Sequence, residues 1–193
     1  MMVTRFEGTP LALASDLLMS ETTTPFQDAD QRLHKVYDYW QQKRGARAMP
    51  ARRDIDPTEL IGVLPHLMLI DVEEGPRFRY RLFGTAVSEA FGSDPTGRYI
   101  DEVMVGAYKT FLLGLYNDII MSKKPVYSTS IYGGTSEMLW TQRLMLPMSS
   151  NGNDVDKVLA VQVFVHGSPL KTLTVRLAQD KAEPIENIAN PLR

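Results

Sequence analysis

The segment Leu159-Ala160-Val161-Gln162-Val163-Phe164-Val165 has the β-branched composition of a strand and is apolar on both sides of it. Leu159, Val161, Val163 and Val165 share one face; Ala160 and Phe164 share the other with Gln162. A strand with one face in water alternates apolar with polar residues more cleanly. This one must therefore be covered on both sides. Two strand-like segments precede it, Val126–Tyr132 and Met138–Leu146, separated by turns at Gly133-Gly134 and Ser149–Asp156. Successive hairpins imply antiparallel pairing. Two more lie earlier, near Met68–Val72 and Phe78–Phe83, around the turn Glu73-Glu74-Gly75-Pro76. In the second of these, Phe78, Tyr80 and Leu82 are expected to point one way and Arg77, Arg79 and Arg81 the other.

The helices supply the covers. From Asp30 to Arg44, the residues Leu33, Val36, Tyr37 and Trp40 recur at the helical period and form one apolar stripe. Lys43 and Arg44 suit the last turn, and Gly45 ends the helix. Such a helix does not hold its stripe alone. It covers the outer face of the sheet or meets a second copy of the chain. Asp56-Pro57-Thr58-Glu59 reads as a helix start of one to two turns. A short helix over Ala86–Phe91 stops at Gly92, and Asp94-Pro95-Thr96-Gly97 is a turn. A longer helix over Tyr108–Met121 carries Phe111, Leu112, Leu115 and Ile119 on one face. The expected fold is α+β: a five-stranded antiparallel sheet with short helices on one face and an N-terminal helix. Residues 1–28 are expected to be a flexible extension, 29–166 the domain, and 167–193 a polar tail. In that tail Thr172–Leu177 offers a short strand, and Pro184 and Pro191 predict an irregular end.

Composition narrows the chemistry. The 193 residues include no cysteine, so disulfides, thiolate nucleophiles and cysteine metal sites are excluded. A net charge of -2 gives no global attraction to nucleic acid or acidic membranes. No apolar run has the roughly 18 residues of a membrane span, and the apolar run after Arg5 is too short for a signal peptide. A soluble, cytoplasmic chain is expected. The histidines, His34, His66 and His166, show no metal-ligand spacing. No nucleophile elbow, phosphate loop or dinucleotide fingerprint occurs. The chain is not expected to be an enzyme: no catalytic residue and no metal ligand is assigned.

The order of elements resembles a PAS domain, which has two strands, short helices ending in a longer one, then three strands. The details are similar to a PAS family widespread in alphaproteobacterial genomes as mostly small stand-alone proteins. They are Tyr39-Trp40, Arg47-Ala48-Met49-Pro50, Asp54-Ile55-Asp56-Pro57 and Leu64-Pro65, then Phe78 through Thr85. Phe91-Gly92, Asp94 and Thr96-Gly97-Arg98 complete the series. The resemblance implies a sensory or protein-interaction domain and names no ligand, since one fold carries many sites. In PAS proteins that bind haem the iron ligand is commonly a histidine on the long helix; this long helix has none. The light-driven flavin adduct of LOV domains needs a cysteine. No cofactor is expected.

A pocket in such a fold lies between the sheet and the helices. Its candidate walls are Phe83, Phe91, Tyr108, Phe111, Leu115, Trp140 and Phe164, residues that equally well fill a core. Leu33, Tyr37, Trp40, Arg79 and Arg81 are candidate interface residues for a homodimer. The basic run Lys43, Arg44, Arg47, Arg52 and Arg53 is followed at once by Asp54, Asp56 and Glu59, which suits local pairing better than nucleic acid. The leading reading is a sensory module that binds a small organic ligand and signals through a separate partner protein. The alternative is an adaptor whose core is filled and holds no ligand. A small enzyme of unfamiliar type ranks third.

Overall fold

The computed structural model describes residues 26–75, 77–133, 138–165 and 190–191. After a 3-10 turn at Phe26–Asp28 the chain enters helix α1 (Gln31–Arg44). The Asp30 carboxylate caps it by accepting from Arg32 N–H, and Gly45 closes it at φ 56°, where a side chain is disfavoured. A second 3-10 turn, Arg52–Asp54, precedes a ten-residue 3-10 helix, Pro57–His66, capped by Asp56. That helix is longer than the one to two turns expected. Strands β1 (Leu67–Glu73) and β2 (Arg77–Phe83) follow, then helices α2 (Thr85–Phe91), α3 (Ile100–Val103) and α4 (Gly106–Ser122), then strands β3 (Val126–Gly133), β4 (Met138–Met148) and β5 (Lys157–Val165). Residues 1–25 of the expected flexible leader, the strand at Thr172–Leu177, His166 and Pro184 lie outside the described residues. The leader's last three residues are the 3-10 turn, where Phe26 packs edge-on against Tyr37 and Tyr127.

The five strands form one antiparallel sheet in the order β2-β1-β5-β4-β3. A two-residue strand, β6 (Asn190–Pro191), adds to the outer edge of β3 opposite Val126 and Tyr127. Pro191, expected in an irregular end, is paired there. An edge is the position at which a proline's missing N–H is tolerated.

Both faces of the sheet are covered. α1 lies over β4 and β5. Its stripe residues Leu33, Val36 and Trp40 are buried together with Leu144, Leu146, Val161 and Val163. The Trp40 indole N–H donates to Pro147 O at 2.9 Å. Between the two covers considered for this face, the chain uses its own helix. On the other face, Phe78 of the first hairpin stacks on Tyr116 of α4 with ring centroids 4.7 Å apart, and Tyr80 is buried beside them.

The alternation expected in β2 breaks at one point. Leu69 pairs with Leu82 and Ile70 with Tyr80, so Arg81 is an extra residue, a β-bulge. Beyond it the faces exchange. Leu82 does not join Phe78 and Tyr80; it is 46 % exposed, and Phe83 turns inward instead.

Candidate functional site

The space between the sheet and the helices narrows to a cavity of about 20 Å³, room for about one or two waters. Four expected wall residues line it: Phe83, Phe91, Tyr108 and Phe164. Three do not. Phe111 and Leu115 lie on α4 one position before Leu112 and Tyr116. One residue is a 100° turn of a helix, and the cavity stripe is Tyr108, Leu112 and Tyr116. Trp140 stands on the other face of β4 with Gln142, whose side-chain oxygen accepts from Asp30 N–H at the start of α1. The opposite parity carries Arg143 inward.

Arg143 is the residue that the sequence reading left out. Its side chain is buried, 2 % exposed, and lines the cavity. Nε donates to Gln162 Oε1 at 2.9 Å, directly across the strand pair, and Nη2 donates to the Tyr108 hydroxyl at 2.6 Å. Nη1 is buried and has no hydrogen-bond partner. Among the described residues no carboxylate pairs with this guanidinium, although other arginines on the sheet are paired. A buried cation with neutral partners alone carries a desolvation penalty of several kcal/mol. A signal existed in the sequence. Arg143 and Gln162 sit opposite each other on the inward side of two strands, where Thr141 is the other buried polar residue and Met145, Val158, Ala160 and Phe164 are apolar. Beside Arg143, burial raises the pKa of the Tyr116 phenol well above its usual range, so Tyr116 is neutral at any physiological pH.

The proposed dimer residues are divided by burial. Leu33 and Trp40 are enclosed by the chain's own sheet, at 0 % and 2 % exposure, and neither is free to meet a second copy. Tyr37 is half-buried. Arg79 pairs with Glu73 at 2.5 Å and faces Asp71 across the hairpin. Arg81, at the bulge, is exposed. The basic run is paired locally, Lys43 with Glu59 and Arg47 with Asp54. No group of His, Asp and Glu able to hold a metal ion occurs among the described residues. Nor is any described helix long and apolar enough to cross a membrane.

One titratable group sits under α1. Arg32 Nη1 lies 2.7 Å from His66 Nε2. A guanidinium has only donors, so Nε2 accepts and the imidazole is neutral. Burial first, and then the charge of Arg32, hold the His66 pKa below its ordinary value, with Asp30 opposing. The unfolded chain therefore binds this proton more readily. The contribution of His66 to stability is complete above pH ~6.5, the ordinary histidine value. It is lost as pH falls through that value toward the folded pKa. Asp30, Asp54 and Asp56 are held below the usual carboxylate range, so their losses come at lower pH. Urea midpoints between pH 7.5 and 5 are expected to fall for the native chain and to flatten in His66→Asn. Parallel profiles would remove this role.

No curated protein matches the chain. Among solved structures, the PAS domain of Bordetella pertussis BvgS is 12 % identical with a TM-score of 0.47, over 62 % of this chain and 92 % of that one. A Rhodobacter sphaeroides LOV protein is 11 % identical with a TM-score of 0.44, over 78 % and 77 %. The LOV domain of the Erythrobacter litoralis EL346 blue-light activated histidine kinase is 16 % identical with a TM-score of 0.41, over 53 % and 95 %. A family model described as PAS domain matches residues 29–163, the greater part of the chain, which belongs to the PAS domain family.

Proposed function

We propose that this chain is a signalling adaptor, a PAS-fold module that acts through contact with a separate partner protein and holds no cofactor-sized ligand in its core. The supporting observation is the cavity of about 20 Å³. Pockets for drug-sized organic ligands run to about 300–1,000 Å³. Here the corresponding volume is taken by Phe83, Leu112 and the link from Gln162 through Arg143 to Tyr108. A ring-sized ligand has to displace that link as well as apolar side chains. The resemblance to small stand-alone alphaproteobacterial proteins and the cytoplasmic setting belong to this reading. So does a homodimer, for which Tyr37, Arg79 and Arg81 remain the candidate contacts.

Native mass spectrometry of protein purified without added ligand tests it. The expected spectrum is the bare chain, as monomer or dimer. A co-purified mass of several hundred daltons, lost on denaturation, would overturn the adaptor reading in favour of a ligand sensor. A monomer at all concentrations would remove the dimer from the proposal.

A further inference from the structure

We propose that Arg143 binds an anion, and that the cavity beside it takes one small carboxylate of the size of formate or acetate. The inference goes beyond the adaptor reading, which concerns ligands many times larger. It starts from an imbalance of charge. Arg143 is enclosed, its hydrogen-bond partners Gln162 and Tyr108 are an amide and a phenol, and Nη1 donates to nothing. Water on Nη1 completes the hydrogen bonding and leaves the buried positive charge uncompensated. An anion answers both.

The shape of the donor and the walls selects the class of anion. A guanidinium is a planar fork that matches two oxygens of a carboxylate better than a single spherical ion. Gln162 and Tyr108 hold that fork at Nε and Nη2, which fixes the plane in which Nη1 presents its hydrogens. The remaining wall includes Met68, Val87 and Leu112, an apolar surface for a hydrogen or methyl group and not for a second charge. The volume excludes dicarboxylates and aromatic acids unless the core opens. Tyr108, Phe91 and Phe164 are only partly buried, so the route for a small solute lies on their side.

The test uses the full chain and acetate as the probe, with sodium chloride at equal ionic strength as the reference. A ligand that binds only the folded state raises Tm with its concentration. The expected result is a saturable rise in Tm with acetate that chloride does not reproduce. Charge-assisted hydrogen bonding of this kind corresponds to about a ten- to hundredfold loss of acetate affinity in Arg143→Met. Arg143→Lys, which keeps the charge and loses the fork, is expected to fall between. A readout on the native chain stands whether or not the methionine variant folds. In protein labelled with nitrogen-15 at arginine, the Arg143 guanidinium, bonded at Nε, is expected to shift with acetate. No acetate-dependent shift, a shift that chloride matches, or an unchanged acetate response in Arg143→Met would overturn the proposal.

Discussion

Gly84→Ala is expected to lower stability by about 3 kcal/mol, the upper end of the usual range for added volume in a packed site. The reason is a near approach of backbone to backbone. A Cβ at this position would lie 2.3 Å from Pro65 O and 2.7 Å from Leu67 O. Neither oxygen belongs to a side chain that swings away. The Gly84 N–H also donates to Leu67 O at 2.8 Å, which ties the end of β2 to the start of β1. The backbone there has φ −64°, so the glycine is needed for space and not for a left-handed turn. Any shift that relieves the clash moves Phe83 and the start of α2, two of the cavity's walls. For a chain of this size about 3 kcal/mol corresponds to a fall in Tm of about 10 °C. Calorimetry of the alanine variant checks it. A fall of under about 2 °C would mean that the corner relaxes freely, contrary to this packing.

Trp40→Ala is expected to cost about 4 kcal/mol, as large aromatic deletions from cores do. Trp40 is 2 % exposed, and its indole donates to Pro147 O on β4. Removal leaves a hole beneath α1 and strips that carbonyl of its side-chain donor. Trp40→Phe keeps most of the volume and loses the donor, so its expected cost is nearer 1 kcal/mol. The comparison separates two accounts of the same sequence pattern. If the stripe on α1 served a second copy of the chain, the alanine variant would change oligomeric state and leave monomer stability almost unchanged. Denaturant midpoints of both variants, read beside sedimentation, decide between them.

Elements with their own local chemistry were legible in the sequence. α1 announces itself by an apolar stripe, two basic residues in its last turn and a terminal glycine, and it forms over Gln31–Arg44. The hairpin turns and the two-sided burial of β5 were equally plain. What escaped depends on partners remote in sequence. The bulge at Arg81 is a matter of register against Leu69 and Ile70, and no periodicity within β2 reveals it. α3 has four residues, too few to display a helical period. The cavity walls were only partly found for the same reason. Periodicity assigns Phe111, Leu112 and Leu115 to one broad face of α4, and only the packed structure says which stripe looks into the gap. Arg143 went unassigned because an arginine in a strand is ordinarily read as facing water.

The hydrogen bond from Trp40 to Pro147 spans 107 positions. During synthesis at about 5–20 residues per second, α1 leaves the ribosome many seconds before β4 and β5 exist to receive it. A 14-residue helix is marginal alone. Its apolar stripe therefore stays uncovered in the nascent chain until nearly the whole domain has emerged. Contacts of such long range also slow folding of the finished chain. The interval in which α1 waits is thus the stage at which this protein is most open to chaperones and most exposed to association with other unfinished chains.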